Sequence, residues 1–167
     1  AKLSKRHGAV DIREYEEQGY LPEAMLNYLV RLGWSHGDQE VFTVKEMIEL
    51  FDIADVNQSA SSFNPETLLW LNQQHIINAP AEKIGAALIP YLEKAGLDVS
   101  NGPTPDDLAE GFRERAETLA QMVSSSRYCF EDFDQIDPKA AKKNLRPVVL
   151  EPIKAARAAL EAMPEWT

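Results

Sequence analysis

The sequence predicts an all-α protein. Helix-start and helix-stop residues punctuate it densely, apolar residues recur at three- and four-residue spacing, and nothing alternates with period two over several strands. Pro22 stands at the first position of a helix over 23–32, in which Ala24, Met25, Tyr28, Leu29 and Leu32 recur at helical spacing and Gly33 closes the run. Thr43-Val44-Lys45-Glu46 is a capping box: the Thr oxygen can accept from the backbone three residues on, while Glu46 reaches back. Behind it, Val44, Met47, Ile48 and Phe51 form an apolar stripe. Asn64-Pro65 marks another start, leading into Leu68, Leu69, Trp70 and Leu71. Trp34, Trp70 and the Tyr28/Leu29 stripe are expected in the core.

The second half continues in the same style. Ile84, Ala87, Leu88, Tyr91 and Ala95 share a face ended by Gly96, and Pro90 is expected to kink or cut that helix. Asn101-Gly102-Pro103 is a break. Thr104 to Asp107 resembles a second capping box, and Leu108, Phe112, Ala116, Leu119 and Val123 follow at near-heptad spacing. Asp137-Pro138 opens a basic helix, and Pro147 and Pro152 punctuate the chain before an Ala-rich run to Met163. A domain boundary is expected near residues 78–82, and no internal repeat is evident.

Composition narrows the class. Hydrophobic content of 44% supports a core, and 26% charged residues suits a globular surface. No apolar run is long enough to span a bilayer, and Ala1-Lys2-Leu3-Ser4-Lys5-Arg6 has no apolar stretch behind it, so a cytosolic protein without a signal peptide is expected. Cys129 is the sole cysteine, which excludes an internal disulfide and a cysteine-rich zinc site. The net charge of −10 argues against general nucleic-acid affinity, but its distribution qualifies that. Residues 1–8 carry Lys2, Lys5 and Arg6 with no acid. Residues 139–157 carry Lys139, Lys142, Lys143, Arg146, Lys154 and Arg157 against Glu151 alone. Basic islands in an acidic chain can repel nucleic acid in general and grip it at chosen points. Solvated helix faces account for them equally well.

The segment with most chemical content is Lys2-Leu3-Ser4-Lys5-Arg6. Its cations and hydroxyl suit a polyphosphate, because ammonium groups can follow negative charge as it moves onto a leaving pyrophosphate. On spacing alone, a short basic tail explains it more readily. On sequence grounds Arg113 and Arg115, among Glu110, Glu114 and Glu117, read as surface ion-pair formers. His36 and His75 read as structural or surface residues, and Cys129 as a small buried apolar one.

Beyond single residues, the opening segment resembles the KMSKS signature of class I aminoacyl-tRNA synthetases, in the KLSKR form of bacterial-type glutamyl-tRNA synthetases. The resemblance runs on through Arg6-His7-Gly8-Ala9-Val10, Gly19-Tyr20-Leu21-Pro22-Glu23-Ala24, Asn27-Tyr28-Leu29, Leu32-Gly33-Trp34-Ser35, Gly37-Asp38, Phe63-Asn64, Leu69-Trp70-Leu71-Asn72 and Arg127-Tyr128-Cys129-Phe130-Glu131-Asp132. These blocks cover nearly the whole chain in the family's order and spacing, and the series is far more specific than any one of them.

The resemblance implies that glutamate and ATP with Mg2+ give an enzyme-bound glutamyl-adenylate, whose acyl group then moves to the terminal adenosine of tRNA-Glu. Lys5 would bind ATP and stabilise its phosphates, Lys2 would order the loop, and Ser4 and Arg6 would shape it. It implies residues 1–18 as this loop and the end of a catalytic domain, 19–79 as a helical stem-contact domain, and 80–167 as the first part of an α-helical anticodon-binding bundle. Arg115, Arg127, Lys139, Lys142, Lys143 and Arg146 are the expected tRNA contacts. The family's His-x-Gly-His signature is missing from this sequence, so the chain is expected to be an inactive fragment of a monomeric parent, with residues 1–18 mobile and no cofactor bound. Three rivals are a glutaminyl-tRNA synthetase with a β-barrel anticodon region, a shortened glutamyl transferase acting on a queuosine base of tRNA, and a helical protein-interaction module with no tRNA affinity.

Overall fold

The computed structural model describes residues 11–57, 62–132 and 135–164, and their regular structure is helical, without a strand. Nine α-helices follow in order: α1 Ile12–Gln18, α2 Pro22–Arg31, α3 Val44–Leu50, α4 Pro65–Asn78, α5 Ala81–Ala95, α6 Pro105–Phe112, α7 Leu119–Ser126, α8 Pro138–Asn144 and α9 Leu150–Glu161. The caps are those the residue types demand. Thr43 and Thr104 both close capping boxes, Asn64 accepts from the backbone of Glu66 and Thr67, and Asp11 accepts from Arg13. Gly96 ends α5 in the left-handed conformation. The chain forms two compact units, one reaching Glu131 and one beginning at Asp132.

In the first unit, α2 lies on α4 while α5 packs on α6 and α7. The main core joins Leu21, Ala24 and Ile76 to Ile84, Leu88, Leu92, Leu108 and Met122. That core runs unbroken across residues 78–82. Smaller clusters centre on Tyr28 with Leu68 and Leu71, and on Trp34 with Phe42 and Met47.

Four expectations change. Pro90 does not cut α5, because Pro90 and Ala86 both face solvent and the carbonyl that loses its donor can turn to water. The apolar series from Leu108 to Val123 belongs to two helices. Trp70 and Leu29 are 39% and 52% exposed: the inward face of α4 runs through Leu68, Leu71, Asn72 and Ile76, and Trp70 lies on the opposite side. Cys129 is only partly buried. Residues 12–18 form α1, and the Tyr91 hydroxyl donates a hydrogen bond to the Glu16 carbonyl.

The break between α6 and α7 is built around Asn72, a fully buried amide on α4. Its oxygen accepts from the Leu21 N–H at 2.7 Å, and its nitrogen donates to the carbonyls of Glu117 at 2.6 Å and Gly19 at 3.4 Å. One side chain thereby satisfies the backbone of the α1–α2 turn and of the α6–α7 break. Leu119 N–H completes the seam by donating to the Gly19 carbonyl at 3.0 Å. Only glycine fits at position 19: its φ is +86°, and a Cβ would lie 2.5 Å from the Ala120 nitrogen.

Asn27 does the same for the α2–α3 connection. Its amide donates to the Glu40 carbonyl and accepts from the Phe42 N–H at 2.9 Å. The same oxygen lies 3.0 Å from His75 Nε2, so that nitrogen must carry the proton. Burial pushes the His75 imidazole below its usual pKa, a shift that the charge of Glu23 opposes and that of Lys83 reinforces. Burial pushes the Glu23 carboxyl up, but hydrogen bonds from Lys83 and from the backbone, with the nearby charges of Lys83 and His75, bring it below the usual range.

Two measurements test these seams. Asn72→Ala orphans buried backbone groups and opens a cavity, so urea unfolding should show a loss of about 2–4 kcal/mol; Gln73→Ala, which removes a bond on the exposed rim, should cost no more than about 0.5 kcal/mol. A histidine held below its unfolded pKa takes up a proton on unfolding, so its stabilising contribution is present above the unfolded value and is lost as pH falls through the folded one. The urea midpoint should therefore drop between pH 7 and 5.5 and drop less in His75→Gln, which keeps an N–H for Asn27. Equal drops in both proteins would remove His75 as the cause.

Candidate nucleic-acid interface

The second unit presents a face of one charge. Asp137 caps α8 by accepting from Ala140 N–H at 2.7 Å, Pro138 takes the first helical position, and Lys142 and Lys143 fall in the last turn, where cations suit the helix dipole. Lys139, Lys142 and Lys143 stand at i, i+3 and i+4, on one side of the helix. Arg146 follows two residues beyond its end. All four are exposed, and none forms an ion pair with a described residue. On α9, by contrast, Lys154 pairs with Glu151 at 3.1 Å and Arg157 with Glu161 at 2.7 Å. Uncompensated cations held at helical spacing suit a row of phosphates better than a single anion.

Three arginines of the first unit, between residues 113 and 127, differ in what they hold. Arg113 is a structural pin: its guanidinium donates to the carbonyls of Ile77 and Ala79, both at 3.2 Å, closing the end of α4, and it pairs with Glu110 at 2.7 Å. Arg127 holds Glu131 through both ends of its fork, at 2.6 and 3.1 Å, so the carboxylate occupies the donors an anion would use. Arg115 is exposed in the α6–α7 break and makes no ion pair with a described residue, which leaves its planar fork available. Lys2, Ser4, Lys5 and Arg6 lie outside the described residues.

Sequence reasoning missed the residues that order the first unit. Asn72 and Asn27 stood only as members of motif blocks, and nothing in a lone asparagine tells a buried hub from a surface amide. Arg113 carried a usable signal, since an arginine among carboxylates can also reach a neighbouring helix end, but ion pairing alone explained it. The described residues contain no group of His, Cys, Asp or Glu able to hold a metal ion, and no helix long and apolar enough to cross a membrane.

Two families match this chain. Residues 1–70 match the model for the catalytic domain of class I tRNA synthetases (E and Q), and residues 83–167 match that for an anticodon binding domain. Among solved structures, a glutamate tRNA ligase from Elizabethkingia meningosepticum, in complex with its amino acid, is 27% identical with a TM-score of 0.82, over 98% of this chain and 36% of that one. A glutamate-tRNA synthetase from Elizabethkingia anophelis is 29% identical with a TM-score of 0.75, over 93% of this chain and 34% of its own. The chain spans about a third of the length of these structures.

Proposed function

We propose that this chain, which belongs to the anticodon-binding-domain family through residues 83–167 and matches the class I tRNA synthetase (E and Q) catalytic-domain model over residues 1–70, is the tRNA-holding portion of a glutamate–tRNA ligase. The observation that carries this reading is the cationic face of α8, which makes no ion pair with a described residue, lies inside the anticodon-domain match and meets the need of an acidic chain for a local grip on RNA. In the parent enzyme, glutamate would react with ATP to give glutamyl-adenylate and pyrophosphate, and the acyl group would then pass to the terminal adenosine of tRNA-Glu. Lys5 would meet the ATP phosphates and Lys2 would order their loop, with Ser4 and Arg6 shaping it. We assign Mg2+ to the nucleotide, since the described residues offer it no ligand group.

The division of labour follows the family matches. Residues 19–79 would contact the stem at the tRNA's inner bend, and 80–167 would approach the anticodon, with Arg115 as a base- or backbone-facing fork and Lys139, Lys142, Lys143 and Arg146 on phosphates. Arg127 would join only by giving up Glu131. The boundary near residue 80 is then one of roles on the RNA, carried on one continuous core. The helical second half and the glutamate-specific neighbours favour glutamate over glutamine as the amino acid, and the parent would act as a cytoplasmic monomer.

A salt series of tRNA-Glu binding tests the interface. Reversing Lys142 and Lys143 to Glu should weaken binding roughly thirtyfold at low salt and lower the slope of log K against log salt by about 2. Unchanged affinity would remove both residues from the interface. In the longer enzyme, Lys5→Ala should slow glutamate-dependent pyrophosphate exchange about a hundredfold while tRNA affinity holds, and a normal exchange rate would defeat the assignment.

A further inference from the structure

An aromatic ring stands in solvent beside the α6–α7 break. The short turn Arg127–Cys129 follows α7 directly, and the aromatic residues around it divide. Phe130 packs on the main core, its ring so close to Gly102 that a Cβ there would lie 2.6 Å from a ring carbon. Tyr128 is left outside at 70% exposure, and it is the only aromatic among the described residues to be more than half exposed. Its ring rests against Phe112, with centroids 6.1 Å apart and planes tilted by 52°. The backbone beneath it is tied down, since the Arg127 carbonyl accepts from the N–H groups of Phe130 and Glu131 at 3.0 and 3.1 Å. The Phe112 carbonyl also accepts from the Arg115 N–H at 2.9 Å, so the exposed ring and the exposed Arg115 are anchored on one residue.

A flat ring held still in water can be covered by a nucleobase at little entropic cost, and the contact buries apolar area on both. Paired bases hide their faces inside the helical stack, so such a ring suits a base of a single-stranded loop. The charges fit as well. Glu131, three residues on, would repel a phosphate, but Arg127 holds it at 2.6 Å, while Arg115 makes no ion pair with a described residue. One ring edged by Arg127 and Glu131 is too small an apolar patch for a protein interface. We propose that Tyr128 is a stacking platform for an unpaired base of the tRNA anticodon loop, an inference that rests on the functional reading above. Stacking is indifferent to which base is offered, so Tyr128 positions the loop and leaves discrimination to groups such as Arg115.

Titrating the 167-residue chain into the anticodon stem–loop hairpin of tRNA-Glu, and into a continuous RNA duplex with as many phosphates, tests this. The hairpin should bind more tightly. Tyr128→Leu keeps apolar cover on Phe112 but has no π face; it should weaken hairpin binding about tenfold and duplex binding by no more than about twofold. Tyr128→Phe should bind both RNAs as the unsubstituted chain does. The slope of log K against log salt should be the same in all three proteins, because stacking releases no counterion. Hairpin binding undiminished in Tyr128→Leu, or weakened as much in Tyr128→Phe, overturns the platform and leaves the tRNA reading intact. Equal losses on hairpin and duplex overturn it too, since a displaced turn would weaken both. An unsubstituted chain that binds neither RNA sinks the functional reading together with the platform.

Discussion

The first unit depends on one buried amide. Asn72 sits where α4 meets the α1–α2 turn and the α6–α7 break, and its oxygen and nitrogen are committed to backbone groups of both. Removing a peptide group from water without a partner costs about 1–3 kcal/mol, so two irregular segments can enter the interior only because this side chain is waiting for them. Gly19 makes the approach possible by offering no Cβ where the α7 backbone arrives. The result is a bundle in which residues that match two sequence families share one core.

That arrangement bears on the proposed work of the molecule. A synthetase must hold a long RNA so that its end reaches the site of chemistry, and misplacement by an ångström is expensive in rate. On the proposed reading, rigid connection between the elements that would touch the stem and those that would approach the anticodon is therefore worth more than strong binding at either. Asn72, midway along α4, and Arg113, at its C-terminal end, would supply it, one bonding to the α6–α7 break and the other reaching back from it to cap the helix.

Local chemistry was legible in the sequence where it is decided locally. The boxes at Thr43 and Thr104, the caps at Asn64 and Asp137, and the stop at Gly96 depend on a few neighbouring residues, and all appear as read. The basic face of α8 was equally plain, since like charges at helical spacing leave little room for pairing within the helix. What could not be read depends on distant partners. The series Leu108, Phe112, Ala116, Leu119 and Val123 has a helical rhythm, yet the helix opens between residues 112 and 119 because Asn72 and Gly19 compete for its backbone. Ile48 at 76% exposure and Trp70 show the same limit: apolarity announces that a residue wants cover without saying which surface provides it. Arg127, an expected RNA contact, holds Glu131 through both ends of its fork.

The central claim is that one tRNA is met at two separate places by one chain, and nuclease footprinting of a tRNA-Glu transcript in the presence of the 167-residue chain tests it most directly. Suppressed cleavage is expected at the inner bend and again in the anticodon arm, with the segment between them cut as in free RNA. Uniform weak suppression along the whole molecule, or none at all, would contradict it.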